Sequence, residues 1–469
     1  MNKYNFNNVL QTFNDNFKSV NDFNTFLEDK KMAFRVIETS NPKVLIYTIK
    51  FPYHNDESIY DIDNILTNYL KTRYNIIVAK DENVQNDDFE VVNDEINTDS
   101  FEYFGRGILL KVDTSDDTNT KYSLVGVPIP FCSKDFMTSS NNDLSKCVAS
   151  FVIDGTGITV CKDDNKLLVS TRSVSGYYPE GPTNNYGNPN YSYGKMFKET
   201  LQASPNNEQC LLNLDPNYIL HFVLEHKHSF KVVPCHNPHL TLVNVFKKEN
   251  NQLSYVNVSE FQKQFGTNFN EVSSINLGDN PMHTINNIID TSTVPGIKLF
   301  NPVTQQWSPR MYTKSFMLRK QVRGNTYNHV YNIIKVRHIS SKIYDMSAMG
   351  KVILPDTYES PLQMYFRLYP ENITLGNNIK KDIYKFTNTL LNYYLSRYVN
   401  NNIQSDEEIA YEFRDLVATL HFNYKRNMWM YKNGQLTDVP RTTNSTVASF
   451  VNLMHPSRLY DRISKYIQI

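Results

Sequence analysis

The densest group of basic residues in the sequence lies between positions 319 and 342. This stretch contains no acidic residue, and Tyr327 and Tyr331 lie among the cations, which are Arg319, Lys320, Arg323, Lys335, Arg337, His338 and Lys342. Cations that follow phosphates and aromatic rings that stack on bases are what single-stranded nucleic-acid grooves use. The pattern predicts a surface for nucleic acid or another polyanion, and the alternative is a solvated strand face.

A second group of similar character lies near the C-terminal end of the sequence. Its members are Lys425, Arg426, Trp429, Tyr431, Lys432 and Arg441. We expect part of this group on a hairpin that turns at Asn433-Gly434, because Asn-Gly favours tight hairpin turns. Lys425, Arg426 and Trp429 are therefore further candidates for nucleic-acid binding, with a plain solvated surface as the alternative.

Four histidines, His226, His228, His236 and His239, raise the question of a metal site. Their spacing is not accompanied by cysteines or carboxylates in a zinc-binding arrangement. We expect solvated or hydrogen-bonded histidines here, and no metal and no cofactor.

Charged residues also stand at the ends of consecutive predicted strands. Residues 150–176, SFVIDGTGITVCKDDNKLLVSTRSVSG, predict a strand, a turn and a second strand, with Asp154-Gly155 before the first and Arg172 after the second. Transfer of a nucleotide through a lysine needs a neutral amine, carboxylates for a metal and the ribose, and cations for the phosphates. Asp154-Gly155 is also consistent with a simple turn into a hairpin.

This segment resembles the first motif of the phage-type RNA ligases, members of the covalent nucleotidyltransferase superfamily. In that motif, K-x-D-G-S is followed by two strands and a basic ending, and Asp154, Gly155, Thr156 and Arg172 match it. Residues 218–256 resemble the third motif and the strands after it, with Glu225 on the family's glutamate; a solvated turn glutamate is the alternative.

Residues 315–338 resemble the fourth and fifth motifs, E-G-x-V-x-R and K-x-K. Lys335 and Arg337 fall on the two basic positions of the fifth motif, and Lys314-Ser315 fall on the E-G of the fourth. The motifs follow one another in the family's order over residues 105–345. The resemblance implies an antiparallel-sheet nucleotidyltransferase-like core.

The departures from the family pattern concern its chemistry. The nucleophilic lysine position is Val152, and the nearest upstream lysine, Lys146, lies about 20 Å away along a strand. A metal-site carboxylate is replaced by Lys314, and Arg337 keeps its charge, so that it cannot act as a neutral amine. We therefore expect no catalytic residues, and interpret Val152, Asp154, Gly155, Glu225, Lys314 and Lys335 as remnant motif positions.

The elements that would position these residues divide the chain into three regions. Residues 1–104 predict an N-terminal α+β region with an acidic loop, and residues 105–345 predict short strands rich in β-branched and aromatic residues, including SFMLR and YNIIKVRH. Residues 346–469 predict a mainly helical domain, with a capping box at Ser405 and Glu408. The fold class is α+β.

Composition limits the classes of function. Lys plus Arg equals Asp plus Glu at 48 each, which argues against bulk nonspecific nucleic-acid binding but allows local patches. Five cysteines without a CxxC pattern indicate reduced thiols. No apolar run has the roughly 18 residues that a membrane helix needs. We expect a protein of the host-cell cytoplasm or of a virion, without a membrane partner.

The leading hypothesis is a catalytically inactive ligase-like protein that binds nucleic acid, of RNA or DNA type. We expect it to act with protein subunits of a larger phage or viral assembly, such as the promoter-recognition subunit of a polymerase. Two alternatives stay open: an active RNA or DNA ligase with displaced catalytic residues, and a virion structural or interaction protein.

Overall fold

The computed structural model describes most of the 469 residues. The described residues are 4–29, 32–50, 71, 106–116, 120–129, 136–137, 143–183, 191–203, 205–229, 232–233, 235, 237–304, 306–323 and 328–464. The acidic stretch, Tyr327 and His236 lie outside them.

The largest sheet among the described residues, here called the central sheet, has eight strands. In chain order they are β1 (Tyr4–Asn5), β7 (Thr156–Asp163), β8 (Lys166–Ser170), β9 (Ser175–Tyr177), β10 (Tyr218–Glu225), β11 (His239–Glu249), β12 (Gln252–Val256) and β13 (Asn270–Glu271). The spatial order is β1-β12-β11-β10-β7-β8-β9, and β13 pairs with β11 in parallel. All other pairings in this sheet are antiparallel.

Two smaller antiparallel sheets belong to the same part of the chain. The N-terminal sheet has the order β2 (Ala33–Glu38), β3 (Val44–Lys50), β4 (Arg106–Asp113) and β5 (Lys121–Gly126). The second sheet has the order β14 (Ser274–Ile275), β6 (Val148–Phe151), β15 (Gly296–Asn301) and β16 (Gln306–Trp307), with β17 (Met311–Tyr312) paired to β15.

Both faces of the central sheet are covered, which explains its nearly continuous apolar strands. Ile158, Val160, Leu220 and Phe222 form one core with nearby helices. The helices of this part of the chain are α1 (Asn7–Asn16), α2 (Val20–Asp29), α3 (Tyr193–Gln202), α4 (Pro205–Leu212), α5 (Val258–Phe265) and α6 (Pro281–Thr291). The opposite face of the central sheet contributes Cys161, Ile219 and Phe246 to a core with the N-terminal sheet.

The chain divides into two compact units, and the later boundary between them falls between Met317 and Leu318. This division lies within α7 (Lys314–Arg323), and the predicted boundary at residue 345 lies within α8 (His329–Ala348). The later helices are α9 (Pro361–Leu368), α10 (Ile373–Tyr398), α11 (Tyr411–Lys432), α12 (Asn444–Asn452) and α13 (Pro456–Ile463). Their apolar faces share one core, which includes Ile334, Leu390 and Leu416.

The predicted fold class is confirmed: antiparallel sheets are followed by a helical C-terminal region. The capping box of Ser405 and Glu408 is also confirmed. The strands predicted at SFMLR and YNIIKVRH are wrong, because these residues lie in α7 and α8. The hairpin predicted at Asn433-Gly434 is wrong as well, since α11 runs unbroken to Lys432. No helix among the described residues is long and apolar enough to cross a membrane.

Candidate functional site

The Asp154-Gly155 pair is built into the scaffold. One carboxylate oxygen of Asp154 accepts hydrogen bonds from the backbone N–H groups of Val232 and Val233, at 2.6 and 2.7 Å. A Cβ atom on Gly155 would lie 2.5 Å from Val223 Cγ1 and 2.7 Å from the Leu224 carbonyl oxygen. Only glycine fits so close to β10. The pair therefore holds the segment after β10 and seats the start of β7.

Val152, at the family's lysine position, is buried and directly follows β6. Its backbone N–H donates to the Gly296 carbonyl oxygen at 2.8 Å, and Ser150 lies opposite Lys298 in the β6–β15 pairing. Opposite residues in an antiparallel pair share a face, and so do residues two apart on one strand. Ser150, Val152 and Lys298 are therefore on the same face.

A cavity of about 210 Å³ is lined by Ile153 and Gly155, which follow Val152 in sequence, and by residues of the central sheet. Its lining residues, here called the two-arginine pocket, are Ile129, Ile153, Gly155, Thr156, Gly157, Thr171, Arg172, Ser173, Tyr193, Val223 and Arg310. They include two guanidinium groups, three aliphatic hydroxyls and no carboxylate. Because hard divalent cations require oxygen donors, usually carboxylates, this set does not fit a metal. It fits an anion.

The polar groups at the pocket differ in whether they already have a hydrogen-bond or ion-pair partner within the protein. Arg310 is exposed and has no hydrogen bond or ion pair within the described part of the chain. The Thr156 hydroxyl is buried and, among the described residues, has no hydrogen-bond partner. Arg172, which the first motif predicts, is partly buried and interacts within the protein. A ligand oxygen at this place would meet the exposed Arg310 guanidinium, whereas the Thr156 hydroxyl is not accessible to it.

Three buried polar side chains, Thr159, His221 and Asn244, lie side by side in a row on the face of the central sheet that also carries Val223. His221 lies opposite both Thr159 and Asn244, and Val223 of the pocket lies two residues along β10. The Nε2 atom of His221 is 2.7 Å from the Val127 carbonyl oxygen, whereas its Nδ1 atom and both amide atoms of Asn244 lack partners in the described regions. Such groups cost about 1–3 kcal/mol each when unsatisfied.

Electrostatics hold the histidine of this row neutral. Burial lowers the pKa of His221 to about 4, and the nearby charges of Lys298 and Arg172 act in the same direction. With a proton on Nε2 for the Val127 carbonyl, Nδ1 is an acceptor. The row thus offers an acceptor at His221 and both a donor and an acceptor at Asn244.

Lys298 lies on β15 opposite Ser150, two residues before Val152. It is partly buried, and its Nζ atom lies 3.8 Å from the centre of the Trp307 ring. Burial lowers the pKa of Lys298 to about 7, and the positive charge of Arg310 adds to the effect. A substantial fraction of this side chain is therefore a neutral amine near pH 7.

Glu225 lies at a different cavity. Its carboxylate is 2.7 Å from His239 Nε2, and the pair lines a cavity of about 350 Å³ that also includes Thr241 and Glu271. Burial raises the pKa of Glu225, and His239 opposes this shift. Glu225 does not line the two-arginine pocket.

The residues assigned to the fourth and fifth motifs lie on helices. Lys314 begins α7, is exposed, and pairs with Asp290 at 3.0 Å. Lys335 is 6% exposed within α8, where burial and the charge of Arg323 lower its pKa to about 8. Arg337 donates to Asn452 Oδ1. These residues lie on helices and not on the strands predicted for them, and their interpretation as remnant motif positions stays a prediction.

The cations at 319–342, which predict a surface for nucleic acid, are not all exposed. Arg323 is fully buried, and Arg319, Lys320 and Lys342 are partly buried on α7 and α8. Lys425, Arg426 and Trp429, by contrast, are all exposed on α11. The structure places Lys425, Arg426, Trp429, Tyr431 and Lys432 of the second predicted group on α11, whereas Arg441 lies beyond the end of that helix. The described cations of the first group lie on α7 and α8.

The described histidines have partners other than a metal. His226 is 3.4 Å from Glu199, His228 stacks on Tyr191 at 3.8 Å, and His239 pairs with Glu225. Within the described ranges, no three His, Cys, Asp or Glu side chains converge on a point that a metal ion could occupy.

Comparison with known proteins gives only structural similarities. No protein-family model matches the chain, and no curated protein matches it. Similar solved structures include an RNA ligase of Naegleria gruberi, at 13% identity and a TM-score of 0.30, covering 44% of this chain and 66% of that one. A putative ATP-dependent DNA ligase of Aquifex aeolicus has 10% identity and a TM-score of 0.34, covering 77% and 75%. An archaeal ATP-dependent RNA ligase has 9% identity and a TM-score of 0.36, covering 77% and 78%.

The scaffold role of Asp154 predicts a loss of stability on its removal. Asp154→Ala leaves two backbone N–H groups without their charged acceptor, so we expect the free energy of unfolding to fall by at least about 2 kcal/mol in urea denaturation. Asp290→Ala, which removes the exposed partner of Lys314, is the control and should change it by less than about 1 kcal/mol. Equal effects would contradict the scaffold role.

The lowered pKa of Lys298 predicts a pH dependence of stability. The unfolded chain binds more protons than the folded one between about pH 7 and the ordinary lysine pKa of about 10.4, so stability rises with pH in this window. Lys298→Met should reduce that rise in urea unfolding measured at several pH values. The control Lys314→Met, which removes an exposed lysine, should leave the rise of unfolding free energy with pH unchanged. If Lys298→Met also leaves this rise unchanged, the Lys298 amine is not held neutral.

Proposed function

We propose that this protein binds nucleic acid without covalent chemistry, and that the two-arginine pocket receives a phosphate of the bound strand. One observation carries the proposal: the eleven lining residues include Arg172 and Arg310 but no carboxylate. Guanidinium groups match the paired oxygens of a phosphate, and charge-assisted hydrogen bonds of this kind are strong.

The size of the pocket limits what enters it. Its volume of about 210 Å³ is below the roughly 300–1,000 Å³ of sites for drug-sized ligands. It therefore suits one phosphate with part of its nucleoside. The remainder of a strand must contact other surfaces of the protein.

The sequence at Val152 supports binding rather than catalysis. The apolar Val152 side chain supplies no nucleophile. The absence of a nucleophile at this position supports binding, beside the lining of the two-arginine pocket that carries the proposal.

The wider setting that we propose is an accessory role within a larger phage or viral nucleic-acid-handling assembly. A subunit of a polymerase, such as one that recognises promoters, is one such role. The choice between RNA and DNA, and the partner subunits, belong to the tests below. If neither nucleic acid binds, a virion structural or interaction protein becomes the better proposal.

Removal of Arg310 tests the pocket. We expect Arg310→Ala to weaken binding of fluorescent single-stranded RNA or DNA about 10- to 100-fold in anisotropy titrations, since it removes a charge-assisted phosphate contact. The slope of log affinity against log salt should fall by about 0.7. Titrations with 5′-phosphorylated and 5′-hydroxyl strands would show whether the phosphate is terminal.

The matched control is Arg35→Ala, which removes another exposed arginine, on β2 of the N-terminal sheet. It removes the same charge from the protein and leaves the pocket intact. Equal weakening by the two substitutions would mean that binding follows net charge, and would contradict the pocket.

A second candidate function is an active ligase with a displaced nucleophile, and Lys298 favours it. Its amine shares a face with Val152 and has a pKa of about 7. In such a reaction, Lys298 Nζ would attack the α-phosphorus of a nucleoside triphosphate. A P–N bond would form, the bond to the bridging oxygen would break, pyrophosphate would leave, and the amine would release a proton to solvent.

Labelling with α-³²P ATP or GTP in the presence of Mg²⁺ separates the two candidates. Our first proposal predicts no acid-labile protein adduct in the native chain. An adduct that is present in the native chain and in Lys314→Met but lost in Lys298→Met would establish the second candidate instead.

A further inference from the structure

The C-terminal half of α11 leaves the core of its unit. Phe413, Leu416, Val417 and Leu420 are buried on this helix, but no residue after Leu420 is buried. Phe422 is 66% exposed and Trp429 is 60% exposed. Large aromatic side chains normally bury most of their 150–250 Å² on folding. Two such side chains exposed to solvent on one short segment indicate a surface that binds a partner.

Charge along the same segment has one sign. Between Asp415 and Asp438 the sequence has no acidic residue, while Lys425, Arg426 and Lys432 are exposed. Neither Lys425 nor Arg426 forms an ion pair with any described residue. Their positive charges are therefore not offset locally.

The aromatic and basic residues lie on one stripe. Positions 422, 425, 426 and 429 follow the i, i+3, i+4, i+7 spacing of a single helix face. Phe422 and Trp429 are seven residues apart, or about 10 Å along the axis, and the two cations lie between them. Phe422, Lys425, Arg426 and Trp429 are here called the aromatic–basic stripe.

The composition of this stripe selects the class of partner. A helix that lies on a membrane separates its apolar and basic residues onto opposite faces, whereas here the opposite face is already buried at Leu416 and Leu420. Rings alternating with cations instead match bases alternating with phosphates. Three steps of stacked bases, at about 3.4 Å each, span the distance between the rings.

We propose that the aromatic–basic stripe of α11 is a docking surface for single-stranded nucleic acid. Unpaired bases stack on Phe422 and Trp429, and the intervening phosphates contact Lys425 and Arg426. This surface shares no residue with the two-arginine pocket and does not depend on that pocket being occupied.

The fluorescence of Trp429 reports binding at the aromatic–basic stripe itself. The chain has two tryptophans, and the other, Trp307, is only 8% exposed. We expect oligo(dT) and oligo(U) to quench the fluorescence of Trp429 in the Arg310→Ala chain, in which the pocket is disabled. A duplex of the same length should quench less, because its bases are already stacked.

Substitutions on the stripe complete the test, again in the Arg310→Ala chain. Trp429→Ala and Phe422→Ala should each weaken oligo(dT) binding by at least about fivefold. The double substitution Lys425→Ala and Arg426→Ala should lower the salt slope by about 1.4. Tyr411→Ala is the matched control: Tyr411 is 79% exposed on the same helix but lies beside Glu412 and Asp415, and its loss should leave binding unchanged.

Three results would overturn the proposal. The first is oligo(dT) binding that Trp429→Ala and Phe422→Ala leave intact. The second is an equal loss of binding with Tyr411→Ala. The third is a shift of Trp429 emission with anionic phosphatidylglycerol vesicles but none with single strands, which would assign the stripe to a membrane surface.

Discussion

The four residues between β6 and β7 hold two sheets in place, and the candidate site depends on them. The backbone N–H of Val152 donates a hydrogen bond to the Gly296 carbonyl oxygen of the second sheet. The Asp154 carboxylate accepts hydrogen bonds from the backbone at Val232 and Val233, and Gly155 lies directly against β10. Ile153 and Gly155 of this connection line the two-arginine pocket. A longer side chain at Gly155 would separate β7 from β10 and open the pocket.

This arrangement makes the space between the sheets attractive to anions without a metal. Arg172 and Arg310 contribute charge, His221 stays neutral, and burial brings the pKa of Lys298 to about 7. Carboxylates that would compete for the cations are absent from the lining. Burial is the main cause of the lowered pKa of Lys298, and the positive charge of Arg310, which we propose contacts phosphate, adds to it.

The sequence predicts some parts of this site well and others poorly, for physical reasons. Asp154-Gly155 and the strands around it are short-range features, and turn residues between β-branched runs define them. The strand predicted at YNIIKVRH, residues 331–338, rests on the β-branched residues Ile333, Ile334 and Val336; burial on several sides of α8 overrides that preference. Arg310, Asn244 and Lys298 reach the site through pairings distant in sequence, which no local pattern reveals.

Hydrogen exchange with and without a bound 5′-phosphorylated oligonucleotide tests the central claim most directly, because it locates the ligand on the chain. We predict slower exchange of the backbone amides at 155–157 and 171–173, which line the two-arginine pocket. Strand binding that protects other regions and leaves both of these segments unchanged would contradict the account.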